Sequence, residues 1–107
     1  MNRDQLLSPS TRPVIPFECP ELGLVHLREL SGAEMADMYA SDNKPEVITQ
    51  TIVALSLCDE HGKRLLKPED GRTLYEAHSS RVLAPIVDEV LRINRMTKAA
   101  VDDAKKV

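Results

Sequence analysis

Cys58-x-x-His61 is the pair in this chain with the best spacing for chemistry. A thiol three residues before an imidazole can hold one side of a metal ion. With Cys19 and His26, the side chains that could contribute reach four, the number a structural zinc takes. The other half of such a site is missing. Cys19 and His26 do not have the spacing of a compact zinc knuckle, and there is no second tight pair. Nucleophilic catalysis at Cys58 would need a placed base and an orienting acid, whereas its surroundings read as a helix end beside a solvated turn. His78 reads as a polar residue near another helix end. The neighbouring carboxylates Asp59-Glu60, Glu69-Asp70, Asp88-Glu89 and Asp102-Asp103 do not converge, because adjacent helical side chains point about 100° apart. Four scattered glycines form no phosphate loop. The sequence predicts no enzyme, no metal site and no cofactor.

Composition and spacing by themselves support no more than a small soluble domain without an enzyme signature. At 107 residues the chain has room for one domain. Its 42% apolar content lies in the range of folded globular chains. Phe17, Tyr39 and Tyr75 are the only aromatics, so the core must come from Leu, Ile, Val, Ala and Met. Such a core buries less area per residue, at roughly 25 cal/mol per Å² of apolar surface. Modest stability and weak self-association through apolar helix surface are therefore expected. A net charge of −3, with bases interspersed among acids, argues against nucleic acid. No apolar run approaches the roughly 18 to 20 residues that span a bilayer, and no apolar signal region follows the first charges. The expectation is a cytoplasmic protein with two reduced cysteines and no membrane partner.

Several short elements would have to position these residues. Residues 1–13 are polar and broken by Pro9 and Pro13, which predicts a flexible arm ahead of a single domain over 14–107. Val14 to Cys19 contains Pro16 and reads as an edge strand; Pro20-Glu21-Leu22-Gly23 supplies a turn. The next strand follows, with Val25 and Leu27 facing inward. Ser31-x-x-Glu34 has the form of a capping box and predicts a helix over 32–39 burying Met35, Met38 and Tyr39. A second helix is expected from Pro45 to about residue 57, capped by Asp42 or Asn43. Ile48, Ile52 and Leu55 form its stripe; Val47, Val53, Ala54 and Leu57 widen it until only a central position or an interface suits it. Gly62 predicts a positive φ in the charged turn that follows, after which Leu65 and Leu66 return to apolar surroundings. A third helix opens at Pro68-Glu69-Asp70, is weakened by Gly71, and carries Leu74 and Tyr75. Ser79 or Ser80 caps a fourth helix with the clearest periodicity, Leu83, Ile86, Val87, Val90 and Leu91, which tolerates an early Pro85. It ends near Asn94, and Thr97 caps a last helix over 98–106. Such a stripe is usually core and otherwise an interface for a helical partner. Leu83, Val87, Val90 and Leu91 are thus the candidate partner-binding residues. The expected fold is mainly α, a small single domain of four to five short helices with an N-terminal β-hairpin.

Three segments, taken in order, resemble the tail assembly chaperones of long-tailed bacteriophages. They are Leu27-Arg28-Glu29-Leu30-Ser31-Gly32-Ala33-Glu34, Val53-Ala54-Leu55-Ser56-Leu57-Cys58-Asp59-Glu60-His61-Gly62-Lys63, and Arg92-Ile93-Asn94-Arg95-Met96-Thr97. The resemblance extends over most of 14–106, with His61 standing where an acidic residue is more usual. It implies a non-enzymatic protein of the host bacterial cytoplasm, absent from the mature virion. Such a protein coats the tape measure protein and keeps it soluble until the tail tube protein polymerises around it. The physical logic is that long apolar helix faces aggregate unless covered, and helix-in-groove contacts can cover them. The resemblance also implies a possible frameshifted longer product, for which the codons of Ala104-Lys105-Lys106 could form the slippery site. Alternatives from other classes are a structural connector or minor tail component of the particle, and an antitoxin-type regulatory module, which would be expected to carry a basic arm.

Overall fold

The computed structural model describes residues 1–9, 11–40 and 44–96. The expected helix over 98–106, its Thr97 cap, the Asp42 and Asn43 caps and the lysines at 105 and 106 lie outside these residues. Along the chain run α1 (Arg3–Leu7), β1 (Ile15–Cys19), β2 (Gly23–Leu27), α2 (Gly32–Ala40), α3 (Pro45–Ser56), β3 (Leu57–Cys58), α4 (Asp70–Ala77) and α5 (Ser80–Ile93).

The hairpin forms where the alternation placed it. β1 and β2 pair antiparallel with Ile15 opposite Leu27 and Phe17 opposite Val25, and Gly23 leaves the turn at φ +90°. Leu27 is fully buried and Val25 packs against the core from the same face. The hairpin does not end the sheet, however. At Leu57 the backbone opens to φ −73°, ψ 124° while its N–H still closes α3 on the Val53 carbonyl. Leu57 and Cys58 then pair antiparallel with Leu27 and His26, giving a sheet ordered β1-β2-β3. Among the described residues the fold is therefore α+β, five helices with a three-stranded antiparallel sheet, and the mainly α expectation is corrected. The physical reason is non-local pairing, which supplied partners to the backbone groups of a segment that reads as the tail of an apolar helix.

α3 is the centre. Ile48, Ile52, Val53 and Ala54 are completely buried, and the helix packs against α2, α4 and α5. Its apolar surface is thereby used inside the domain. Its N-cap position is Lys44, with no side-chain cap and Pro45 following. α4 approaches α3 so closely that a Cβ on Gly71 would lie 2.4 Å from the Gln50 carbonyl oxygen. The glycine that lowers helix propensity is thus the residue that permits this packing. α5 begins at Ser80, with Ser79 in the N-cap position but making no side-chain cap bond. It ends in a Schellman arrangement. Met96 N–H donates to the Leu91 carbonyl, Arg95 N–H to that of Arg92, and Arg95 takes φ +55°. The N-terminal arm contains α1, held by a reciprocal capping box between Asn2 and Gln5, and none of its residues is buried.

Candidate partner-binding groove

The first turns of α3, the middle of α4 and one side of α5 leave a groove of about 450 Å³. Pro45, Glu46 and Thr49 form one wall, Tyr75 contributes from α4, and Ser80, Leu83, Ala84, Val87 and Asp88 come from α5. Local rules explain the lining. Leu83 and Val87 are an i, i+4 pair on the apolar face of α5; Ala84 and Asp88 lie one residue further round, where that face meets solvent. The Thr49 hydroxyl donates to the Pro45 carbonyl at 3.1 Å, which leaves the exposed Glu46 carboxylate as the polar group this wall offers. The Tyr75 hydroxyl is buried without a hydrogen-bond partner among the described residues, and burial pushes its phenol above the ordinary value of 10.0.

The four candidate residues divide. Leu83 and Val87 line the groove, although only 2% and 7% exposed, while Val90 and Leu91 lie wholly within the core and do not reach it. All four belong to one hydrophobic cluster. The stripe is therefore mainly core, and what it offers a partner is its Leu83 and Val87 edge. Pro45, Tyr75 and Ala84 were not singled out as site residues. Helical periodicity identifies the face that is apolar, but where neighbouring helices stop covering it depends on tertiary packing.

A second cleft of about 450 Å³ lies on another face of α3, lined among others by Glu34, Val47, Gln50, Thr51, Arg64 and Arg72. Glu34, Arg64 and Arg72 among its charged residues are engaged internally. Glu34 accepts from Ser31 N–H at 2.8 Å, pairs with Arg12 at 3.2 Å and bonds Arg64, while Arg72 pairs with Glu76 at 2.9 Å. Burial alone raises the Glu34 carboxyl, but Ser31 and Arg64 together outweigh it and hold the group below 4.5. A smaller hollow of about 310 Å³ on the outer face of the sheet is flanked by the exposed Leu24 and Leu65.

The thiols and imidazoles do not assemble. His26 and Cys58 face one another across β2 and β3. Cys19 sits at the far end of β1, its thiol 3.6 Å from the Val82 carbonyl. The His61 ring lies 3.4 Å from Glu60 on the surface. Among the described residues no three His, Cys, Asp or Glu side chains are grouped to hold a metal ion. Burial pushes the Cys58 thiol up, Arg28 opposes this and Asp59 adds to it, which disfavours the nucleophilic thiolate. Asp59 instead organises its loop, accepting from Lys63 and His61 N–H at 2.9 and 2.8 Å while Gly62 takes φ +84°. No helix among the described residues is long and apolar enough to cross a membrane. Comparisons with protein-family profiles, with characterised proteins and with solved structures give no match.

Proposed function

We propose that this protein is a tail assembly chaperone of a long-tailed bacteriophage. It acts in the host cytoplasm, binds the tape measure protein, keeps it soluble, and yields it to the tail tube protein without entering the mature virion. The reading rests on the ordered sequence resemblance over 14–106. The observation that best supports it is the groove between α3, α4 and α5, whose apolar lining of Pro45, Tyr75, Leu83, Ala84 and Val87 suits the apolar face of a helix. An amphipathic partner helix would set its anchoring side chains there and leave its polar face in water.

Co-expression tests the proposal. The tape measure protein encoded beside this gene should sediment when made alone and stay in the supernatant when this chain is present. Ala84→Glu, at an exposed position of the lining, should lower the soluble fraction severalfold. A tape measure protein equally soluble with and without this chain would end the reading.

A further inference from the structure

α1 spans five residues, has its capping box complete, with both bonds at 2.9 Å, and buries nothing. So short a helix has little stability in water by itself, because nucleation fixes several dihedrals for each hydrogen bond gained. Leu6 and Leu7 are 68% and 64% exposed. Arg3 stands three and four residues before them, so all three share a face; Asp4 lies about 100° round the helix from Arg3 and three residues before Leu7, at the edge of that face. Arg3 and Asp4 are 4.0 Å apart and almost fully exposed, a pairing too weak to neutralise that face. α1 therefore presents two leucines with a cation between them and no surface beneath.

The α3/α4/α5 groove has the complementary character. Its floor is apolar, and its exposed carboxylates, Glu46 and Asp88, have no ion-pair partner among the described residues. The other two hollows fit less well. The cleft at Glu34 holds Asp37 and Glu69 as well, but Arg64 and Arg72 beside them already supply its cations. The hollow beside Leu24 and Leu65 has Asp59 engaged by its own loop and Glu60 beside His61.

We infer that α1 of one copy docks in the α3/α4/α5 groove of a second copy, with Leu6 and Leu7 against Leu83, Ala84 and Val87 and Arg3 between Glu46 and Asp88. The tether directs the arm outward. Arg12 is held to the Glu29 carbonyl at 3.3 Å and to Glu34 at 3.2 Å, beside the cleft that Val47, Gln50 and Thr51 line. Pro45, Glu46 and Thr49 line the groove, and at 3.6 residues per turn the two sets are centred about 150° apart on α3. The chain from Leu7 to Arg12 reaches about 17 Å when extended. In the structure α1 buries none of its residues, and none of them lines the groove of its own molecule. Reciprocal exchange between two copies fills both grooves and closes the assembly at two. The inference stands apart from the tape-measure reading, since it concerns the isolated protein.

Sedimentation equilibrium of the full chain over a wide concentration range tests it. The wild type should pass from monomer to dimer as concentration rises. Arg3→Glu and Asp88→Lys should each weaken the dimer by about tenfold, and the two combined should recover most of that loss. Leu6→Asp with Leu7→Asp should remain monomeric with an unchanged melting curve at low concentration, because neither leucine contributes to the core. A wild type that stays monomeric at its highest soluble concentration overturns the inference. So does a dimer indifferent to the leucine changes, or charge variants that fail to compensate.

Discussion

At Glu34 a single carboxylate serves a helix cap and two cations. Its Oε1 accepts from Ser31 N–H, completing the capping box, and the same group holds Arg12 and Arg64. Ser31-x-x-Glu34 made the cap legible, but the arginines are 22 and 30 residues away and no local pattern announces them. Glu34→Gln should keep the cap's acceptor, lose both ion pairs, and cost roughly 1 to 2 kcal/mol at neutral pH. The pH dependence has a definite sign. Because the folded-state pKa is lowered, the stabilisation is present above the ordinary glutamate range and is lost as pH falls through the lowered value. Asp59, lowered first by the Lys63 N–H against a burial effect that raises it, adds to the acid sensitivity in the same direction. Urea midpoints from neutral to acid pH should therefore fall more gently in Glu34→Gln than in the wild type, and parallel curves would refute this. Tyr75 presents the opposite case, a polar atom with no hydrogen-bond partner among the described residues. Tyr75→Phe removes a buried unpaired hydroxyl without changing the ring, and should stabilise the domain by about 1 kcal/mol. A measured loss of stability would mean that the hydroxyl is satisfied in solution.

The contact between α3 and α4 depends on what Gly71 lacks. In a solvated helix, Gly→Ala gains about 1 kcal/mol. Here the added methyl would meet the Gln50 backbone at 2.4 Å, which cannot rotate aside as a flexible side chain would. Gly71→Ala should lower stability by roughly 1 to 3 kcal/mol, as overpacking does, and a higher thermal midpoint for the alanine variant would disprove the close approach. Elements with local determinants were readable in advance. Alternation marked β2 through Val25 and Leu27, the 3.6-residue period marked α5, and Gly62 marked its turn by a required positive φ. β3 was not readable, because Leu57 and Cys58 continue an apolar helical run and become a strand only by pairing with Leu27 and His26. α1 was missed for the opposite reason. It has no apolar face inside its own domain, although Asn2-x-x-Gln5 is a capping signal. The candidate stripe on α5 was found, but the part left uncovered is set by where α3 and α4 end, so only Leu83 and Val87 of the four residues reach the groove.

The sheet, the central helix and the last helix meet at Asn94. Its Oδ1 accepts from Leu30 N–H at 2.9 Å, and its Nδ2 donates to the Val90 carbonyl at 2.9 Å and to the Ser56 hydroxyl at 3.4 Å. Ser56 is almost completely buried, and its carbonyl accepts from Arg28 N–H at 3.0 Å, joining the end of α3 to the chain leaving β2. One amide thus fastens the exit of the sheet to the ends of two helices through bonds 38 and 64 residues apart in sequence. An amide suits the place because it both donates and accepts. Asn94→Asp keeps the shape and the acceptor for Leu30 but turns the donor into an oxygen facing the Val90 carbonyl. It also places a negative charge at the negative end of the α5 dipole. At neutral pH this should cost roughly 2 to 4 kcal/mol, for lost donors and an uncompensated charge. The native environment disfavours the charged form, so the introduced carboxyl should have a raised pKa in the folded state. Its penalty is then full above that pKa and relieved as pH falls, when the protonated acid can donate to Val90 again. The variant and the wild type should accordingly approach each other in urea midpoint on acidification, even as both lose the contribution of Glu34. Measuring the difference between them at each pH separates the two effects, and a difference that stays constant from neutral to acid would show that Asn94 does not make these donor contacts.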